Sequence, residues 1–496
     1  MERNETQKVS STLTPELSAL DSFPLGTDGW RGVIGEGCTF EAIRRLAAAV
    51  GQVYPLWTPG DASRIVVGHD TRFFSPEFAR AAAQELAATG IDVLLTDRPV
   101  PTPAVSFHVR REGLAGGIAI TASHNPAPYN GLKIKAHFGG SAPPELYGEV
   151  DRAKARPGRP AERPGRVETL DLLAPYRERL SGLVELETIR GAGLRVLGDS
   201  MHGAAGLLLA DILTRGSTRV IPLRADRDVL FGGIHPEPIA ANLTETSDRL
   251  RAERCHLAVA WDGDADRLGV LDSSGRFVSP HRILALLILH AFRHRGLSGG
   301  IAKTFSTSLL IDRVAQKLGA PLLETPIGFK YVAELMNSGA AVAGGEESGG
   351  YAFAFHLPER DGVLSALLLI ESLATERQDL EGALAALAAE FGEFAYARQD
   401  TYLPVEVIRE FLEEVRRAPP SSIGGDAVTA VRDTDGVKYL FGFRGWLLHR
   451  LSGTEPMIRL YCEHEDARRV GEILEDTVER LTSFAARRGA RPRTEM

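Results

Sequence analysis

The stretch that decides the fold occupies residues 64–120 and reads RIVVGHDTRFFSPEFARAAAQELAATGIDVLLTDRPVPTPAVSFHVRREGLAGGIAI. It opens with an apolar run typical of a buried strand, and Ser75-Pro76 then predicts a helix N-cap followed by a first-turn proline. A second strand, a second helix over 101–113 and a third strand over 116–120 follow. This alternation predicts an α/β unit with a largely parallel sheet.

The same order of strands and helices recurs twice further along the chain. One series starts at Leu194, includes a predicted helix over 204–216 and ends after HLAVAW, and the other runs from Gly300 to AVAGG. Each of the three series ends in a polar loop, which reads TASHNPAPYNG, DGDADR and EESGG in turn. We therefore predict three similar mixed α/β domains with largely parallel sheets.

The chain changes character beyond about Tyr396. AVTAVRD and VKYLF flank a turn at 433–436 and predict a hairpin, with further strands and a final helix from about Asp466. This pattern indicates a smaller C-terminal α+β domain. The predicted division is a flexible N-terminus at 1–22, α/β domains at 23–165, 166–295 and 296–396, the α+β domain at 397–486 and a flexible tail at 487–496, with an exposed linker near 152–166.

Composition excludes several classes of protein. The chain has 496 residues, of which 44% are hydrophobic, and this length exceeds what one hydrophobic core organises. Its net charge of −8 is mild and its cations are scattered, so we expect no nucleic-acid partner. Three widely separated cysteines exclude a CxxC zinc knuckle and a disulfide framework. The polar start MERNETQKVS and the short apolar run at 284–289 predict a cytoplasmic protein without a membrane segment.

The loop DGDADR carries a predicted metal site. Asp262, Asp264 and Asp266 alternate along the chain, and on an extended backbone their side chains would point the same way. Carboxylates this close repel one another unless a cation lies among them, and an all-oxygen site selects a hard ion such as Mg²⁺. A calcium loop is the rival interpretation, but its sixth position is Arg267 instead of glycine and its twelfth is Ser273 instead of glutamate.

A serine followed by a histidine, Ser123-His124, lies in the loop TASHNP. The pair could belong to a hydrolase, but the GxSxG elbow of such a nucleophile is absent, and a solvated turn is the simpler alternative. Further along, Lys133 stands out because most other cations of the chain are arginines. A lysine can be tuned for proton transfer whereas an arginine stays charged, and a surface charge is the alternative for Lys133.

Two further loops have donors and acceptors suited to a small polar ligand. In GGEESGG the glycines let a ligand approach the backbone, and Glu346 and Ser348 share one face, where they could bind adjacent sugar hydroxyls. Taken alone, this loop is more typical of a glycine-rich turn with an incidental glutamate. In RLSGTEP, a group of donors around a glycine could hold a phosphate: Arg450, Ser452, Gly453 and Thr454.

Together these loops resemble those of the α-D-phosphohexomutase family. The chain contains GTDGWRG near residue 26 and then TASHNP, DGDADR, GEES and RLSGTEP, in the family's order and over nearly the whole chain. The combination is specific, although each loop alone is a weak signal. Trp30 and Ala265 depart from the family loops but leave the charged positions intact. The resemblance implies a four-domain enzyme that has its active site between the domains and requires Mg²⁺ and a hexose 1,6-bisphosphate.

The resemblance also implies a role for each site residue. Ser123 would be the phosphorylated nucleophile, and Asp262, Asp264 and Asp266 would hold Mg²⁺ together with a phosphoserine oxygen. His124 and Lys133 would handle protons or orient the phosphate, and Arg31 and Arg267 would neutralise the phosphoryl group. Glu346 and Ser348 would contact the sugar O3 and O4 hydroxyls, with a looser substrate contact by Lys330. The residues that would anchor the second phosphate are Arg450, Ser452, Gly453 and Thr454.

The function implied is a phosphohexomutase that interconverts hexose 1-phosphate and hexose 6-phosphate. GEES favours glucose, while mannose stays open because Glu346 and Ser348 do not read O2. One alternative is a phosphoglucosamine mutase. A second is a sugar-phosphate phosphatase or bisphosphate synthase, which would not need RLSGTEP. A third is a non-catalytic sensor, which would not need Ser123 and Lys133. The expected partners are small sugar phosphates, and the oligomeric state stays open.

Overall fold

A computed structural model describes the protein at residues 25–26, 28–58, 63–156, 160–452 and 455–495. Four main sheets follow one another along the chain, one for each predicted domain, and a two-stranded sheet accompanies the last. The predicted flexible start at 1–22 lies outside the described residues. Within the described ranges, no helix has both the length and the apolar character needed to cross a membrane.

The first unit has a six-stranded sheet in which four strands run parallel and an antiparallel pair is added at one edge. Its elements are β1 (Trp30–Val33), α1 (Phe40–Trp57), β2 (Arg64–His69), α2 (Ser75–Ala88), β3 (Asp92–Thr96), α3 (Thr102–Glu112), β4 (Gly116–Ile120), β5 (Tyr129–Ala136), α4 (Pro144–Ala153) and β6 (Val167–Leu170).

Two predictions for this unit are wrong. Strand β6 pairs in parallel with β3, so the sheet continues past the predicted boundary at residue 165 as far as Leu170. The predicted N-cap residue, Ser75, is the first residue of α2, and Phe74 occupies the cap position with a φ of 61°. The Ser75 hydroxyl does not cap the helix because it donates to Asp70 Oδ1 at 2.6 Å.

The second unit has a five-stranded sheet with three parallel strands at its centre and one side. Its elements are α5 (Leu173–Ser181), α6 (Leu186–Gly191), β7 (Arg195–Asp199), α7 (Leu208–Ile212), β8 (Arg219–Leu223), α8 (Thr244–Ala252), β9 (Leu257–Trp261), β10 (Leu268–Asp272) and β11 (Phe277–Val278). The helix predicted over 204–216 is reduced to α7. The preceding turns pack closely against the metal loop, since a Cβ at Gly203 would lie 2.9 Å from the carbonyl oxygens of Asp262 and Gly263.

The third unit repeats the α/β pattern with a four-stranded sheet, of which three strands are parallel. Its strands follow the sequence prediction closely, but the unit begins before the predicted boundary at 296, with the helix Pro280–Arg293. Its elements are α9 (Pro280–Arg293), β12 (Gly300–Thr304), α10 (Leu309–Leu318), β13 (Leu322–Thr325), α11 (Phe329–Asn337), β14 (Ala341–Gly345), β15 (Tyr351–Phe353), α12 (Gly362–Glu376) and α13 (Leu380–Phe391).

The fourth unit is an antiparallel sheet covered by helices. The hairpin predicted around 433–436 is confirmed, and Arg493–Glu495 of the predicted flexible tail at 487–496 form β23, which pairs with β16. Its elements are β16 (Ala395–Tyr402), α14 (Val405–Arg417), β17 (Ser422–Ile423), β18 (Asp426–Ala427), β19 (Ala430–Arg432), β20 (Val437–Leu440), β21 (Gly445–Leu451), β22 (Met457–His464), α15 (Ala467–Ala486) and β23 (Arg493–Glu495).

A continuous hydrophobic core joins the three α/β units. Helix α12 is buried at every position from Gly362 to Ala374, which is typical of a helix with packing partners on all sides. The fourth unit has its own core and meets the third through a smaller apolar cluster that includes Phe305 and Trp446. The polar loops that follow β4, β9 and β14 can therefore meet at one place between the units.

Candidate active site

Ser123 lies in the turn between β4 and β5 and is fully buried. Its φ of 52° is in the left-handed region, which costs free energy for any residue other than glycine. Its backbone N–H donates to Thr121 Oγ1 at 2.8 Å, and its hydroxyl donates to Asp262 Oδ2 at 2.9 Å. The predicted nucleophile therefore contacts the predicted metal loop.

The metal loop follows β9 and brings three carboxylates together. One oxygen from each of Asp262, Asp264 and Asp266 lies within 4.8 Å of the others. Contrary to the prediction of an extended backbone, the chain turns in this loop, and Ala265 has a φ of 58°. Gly263 lets this turn lie against the neighbouring loop, since a Cβ there would be 2.5 Å from the Ser123 carbonyl oxygen.

The donor set of this loop fits Mg²⁺. Asp264 Oδ1 and Asp266 Oδ1 are buried and have no hydrogen-bond partner among the described residues. Such oxygens are costly to bury, and carboxylate oxygens are the ligands that hard divalent cations prefer. Burial and the two neighbouring aspartates hold the pKa of Asp262 well above its usual range. A bound cation would offset the repulsion among these three carboxylates.

Lys133 lies on β5 among these carboxylates. Its Nζ donates to Asp264 Oδ2 at 2.8 Å and to Asp266 Oδ2 at 2.7 Å, and it lies 3.2 Å from Asp28 Oδ2. Burial alone would lower the pKa of Lys133, but the three carboxylates outweigh burial and raise it above its usual value. Lys133 is therefore a charged ammonium that partly neutralises the loop, and not the neutral amine that a base requires.

His124 lies beside the predicted nucleophile. Its Nδ1 is 3.4 Å from Ser123 Oγ. Burial, together with Arg267, Arg31 and other nearby cations, lowers the pKa of His124 well below its usual value. The imidazole is therefore neutral near pH 7.

The two predicted arginines approach the same place from different units. Arg31 lies on β1, and its Nη1 donates to Asn125 Oδ1 in the loop of Ser123 at 2.8 Å. Arg267 ends the metal loop, and its backbone N–H donates to Asp262 Oδ1 at 3.1 Å while its Nη1 lies 3.4 Å from Glu237. Both positive charges therefore flank the serine and the aspartates.

Glu346 and Ser348 lie in the turn between β14 and β15. Burial raises the pKa of Glu346 to about 7, although Arg360, whose Nη1 is 3.3 Å from Glu346 Oε2, acts in the opposite direction. Ser348 is half-buried in the same turn. Lys330 is the second residue of α11 and is also half-buried, and among the described residues no hydrogen bond joins it to Glu346 or Ser348.

Sequence reasoning does not identify Arg360, which joins all three α/β units. Its Nη2 donates to Asp28 Oδ2 at 2.6 Å and to Asp266 Oδ2 at 2.8 Å, while its Nη1 donates to Glu346. One guanidinium thus holds the metal loop and the turn that contains Glu346. The segment PERDG, with an arginine between two acids directly before an apolar helix, was the available signal.

The predicted phosphate loop begins at the end of β21. Arg450 Nε donates to Asp435 Oδ1 at 3.0 Å, and Asp435 Oδ2 accepts the backbone N–H of Ile327 at 2.9 Å. Asp435 therefore links the arginine of the fourth unit to a loop of the third. Ser452, two residues after Arg450, is buried, whereas Gly453 and Thr454 lie outside the described residues.

Known proteins match the chain in every unit. Family models described as phosphoglucomutase/phosphomannomutase domains I, II and III and C-terminal domain match residues 24–156, 174–275, 279–391 and 403–480. A phosphoglucomutase/phosphomannomutase from Thermococcus kodakarensis is 30% identical over 458 residues, which are 91% of this chain and 96% of that protein. A phosphoglucosamine mutase from Parafrankia sp. is 35% identical over 490 residues, covering 92% of this chain and 98% of that protein.

A solved structure agrees with these matches. The crystal structure of a Thermus thermophilus protein assigned as a phosphomannomutase has a TM-score of 0.82 and 37% identity, and covers 92% of this chain and 99% of its own. Fold and matches together define a phosphohexomutase, an isomerase that transfers a phosphoryl group within a sugar phosphate. The chain belongs to the phosphoglucomutase/phosphomannomutase family, which confirms the resemblance of its loops.

Proposed function

We propose that the protein interconverts glucose 1-phosphate and glucose 6-phosphate through a phosphoserine at Ser123 and a glucose 1,6-bisphosphate intermediate. The observation that carries this proposal is the contact of Ser123 Oγ with Asp262 Oδ2 at 2.9 Å. Asp262 belongs to a cluster of three carboxylates, in which Asp264 Oδ1 and Asp266 Oδ1 lack hydrogen-bond partners among the described residues.

The residues around Ser123 suit phosphoryl transfer. Mg²⁺ held by Asp262, Asp264 and Asp266 would offset the negative charge that develops on the phosphoryl group. In the first half-reaction the Ser123 Oγ–P bond breaks and a bond forms between phosphorus and a sugar hydroxyl oxygen. The proton of that hydroxyl ends on Ser123 Oγ, and neutral His124 is placed to relay it.

The second half-reaction returns the other phosphoryl group to Ser123. The sugar must turn between the two steps so that its C1 and C6 ends exchange places. Glu346 would accept hydrogen bonds from the same pair of hydroxyls in both orientations, and Arg450 of the fourth unit would hold the phosphate that does not react. Lys330 would contact the substrate from α11.

A phosphoglucosamine mutase is the second candidate. The Parafrankia relative carries that name at 35% identity. Glucosamine differs from glucose in the group at C2, and the GEES loop is the feature that favours glucose. Mannose also differs from glucose at C2, so the two comparisons test the same part of the site.

A coupled assay with the 1-phosphates of glucose, mannose and glucosamine, each with catalytic glucose 1,6-bisphosphate, tests the proposal. We expect the highest kcat/KM for glucose 1-phosphate, and intact mass and peptide spectra should locate phosphate on Ser123. A higher kcat/KM for glucosamine 1-phosphate would establish the second candidate instead. Release of inorganic phosphate without isomerisation would identify a phosphatase, and active enzyme that never carries phosphate on Ser123 would refute the proposed relay.

A further inference from the structure

Arg72 is a fully buried arginine in the turn between β2 and α2, and its side chain is committed to the loop of Ser123. A guanidinium has five N–H donors, and the structure provides a partner for each. Nε donates to Asp70 Oδ2 at 3.1 Å, Nη2 donates to the carbonyl oxygens of Ser123 at 2.6 Å and Asn125 at 2.7 Å, and Nη1 donates to those of Pro126 at 2.9 Å and Tyr129 at 3.1 Å.

The same network reaches Ser123 from its other side. Asp70 Oδ2 also accepts the Thr121 hydroxyl at 2.7 Å, and Thr121 Oγ1 accepts the backbone N–H of Ser123 at 2.8 Å. The carbonyl and the amide of Ser123 are thus both tied to the Arg72–Asp70 pair. Because the two side chains are 0% and 1% exposed, the charge of Arg72 is balanced locally by Asp70.

We propose that Arg72 is a positioning residue for phosphoryl transfer, an inference that rests on the proposed role of Ser123 as the phosphorylated nucleophile. Ser123 has a φ of 52°, and such a conformation persists only where the surroundings impose it. Arg72 supplies that constraint and thereby keeps Ser123 Oγ directed at Asp262 in the metal loop.

The shape of the guanidinium explains why this position requires an arginine. Its planar fork places separate donors on carbonyls at both ends of the segment 123–129. A lysine would keep a positive charge opposite Asp70, but its ammonium is a single point that cannot span those carbonyls. The variant Arg72→Lys therefore separates the loss of geometry from the loss of charge.

The matched control is Arg224→Lys in the second unit. Arg224 is also a buried arginine paired with an aspartate, since its Nε donates to Asp199 Oδ1 at 2.9 Å. Among the described residues its side chain makes no hydrogen bond to the segment 121–130. Both variants bury a lysine opposite an aspartate, so a general loss of stability should affect them alike.

Two measurements test the proposal. Each enzyme is phosphorylated with glucose 1,6-bisphosphate, its phosphate content is determined by intact mass, and single-turnover transfer to glucose 1-phosphate is followed. We expect transfer per phosphorylated molecule to fall about 100-fold in Arg72→Lys, with KM little changed, because a misplacement of about 1 Å costs about that much. Arg224→Lys should transfer at the wild-type rate.

Hydrogen exchange on the unphosphorylated proteins is the second measurement. Backbone amides at 121–130 should exchange faster in Arg72→Lys and at the wild-type rate in Arg224→Lys. If Arg72→Lys does not fold, Thr121→Val, which removes the hydrogen bonds of Thr121 to the Ser123 amide and to Asp70 Oδ2, should show the same two effects in smaller size.

The outcomes are distinguishable. Wild-type transfer by Arg72→Lys, equal losses in both lysine variants, or unchanged exchange at 121–130 would each overturn the role of Arg72. If the wild-type protein takes no phosphate on Ser123, the proposed function is wrong and the catalytic role of Arg72 falls with it. The exchange measurement then still decides whether Arg72 holds the loop.

Discussion

Replacing Glu346 with glutamine should make the ligand-free protein more stable at pH 8 while making it a poorer enzyme. Burial raises the pKa of Glu346 from the usual 4.5 to about 7 even though Arg360 favours the charged form. Between these two values the folded state binds more protons than the unfolded state, so the free energy of unfolding falls as pH rises. Glutamine imitates the protonated acid and removes this loss.

The size of the effect follows from the same pKa. The difference between 4.5 and about 7 corresponds to about 3 kcal/mol. Chemical unfolding without substrate should therefore show Glu346→Gln about 3 kcal/mol more stable than wild type at pH 8, and less than about 1 kcal/mol more stable at pH 5. Glu347→Gln removes one negative charge from the same loop and is the matched control.

Activity should change in the opposite direction. With the charged acceptor gone, about 1.5–3 kcal/mol of hydrogen bonding to the sugar is lost, which is about ten- to a hundredfold in kcat/KM. Wild-type kcat/KM should also rise between pH 6 and pH 8 as Glu346 ionises, and the glutamine variant should lack this rise. A stability difference that is the same at both pH values, or identical pH profiles, would refute the reasoning.

The remaining predictions concern the metal, a buried ion pair and the phosphate anchor. Asp264→Asn should weaken Mg²⁺ binding and lower kcat by orders of magnitude, and full wild-type activity in excess EDTA would contradict the metal role. Glu359→Gln should destabilise the protein by about 3–5 kcal/mol, because it leaves the ammonium of Lys135, now 2.5 Å from Glu359 Oε2 and fully buried, without a counter-charge. The double replacement of both by methionine should be nearly neutral, and a double-mutant cycle that gives additive losses would count against this account. Arg450→Ala should mainly raise KM for substrate and bisphosphate, because the anchor acts about equally on ground and transition states, so a defect confined to kcat would argue against the anchor.

Local patterns in the sequence were enough for most of the fold. The strands β2, β3, β4, β7, β9, β12 and β14 and most helices between them were predictable, because their apolar runs and the turn residues that bound them are local features of the sequence. Most of the predictions that were wrong concern elements whose limits depend on partners distant in the sequence. Strand β6 forms because β3 offers an edge, and β23 forms because β16 does. The helix predicted over 204–216 is shortened at its start, where the Ala204 N–H donates to the Gly263 carbonyl oxygen of the metal loop at 3.0 Å.

For the candidate site too, some properties follow from the sequence and others only from the tertiary structure. The sequence alone determined which chemical groups are present. Ser123, the three aspartates of DGDADR and Glu346 lie in short loops whose residue types can be recognised without knowledge of the fold. Only the tertiary structure decided their state. Lys133 is an ammonium because carboxylates from two units surround it, and Glu346 has a pKa of about 7 because it is buried.

Residues that act across the chain were outside the reach of sequence reasoning. No motif around Arg360 or Arg72 indicates its partners, and each acts through acceptors that folding brings from other elements, in the case of Arg72 the four carbonyl oxygens of the loop that contains Ser123. Charge and hydrogen-bond partners are set by distance in space, whereas a motif records only distance along the chain. For that reason the sequence indicated the candidate groups of the site, and the packing of the units determined their protonation and their orientation.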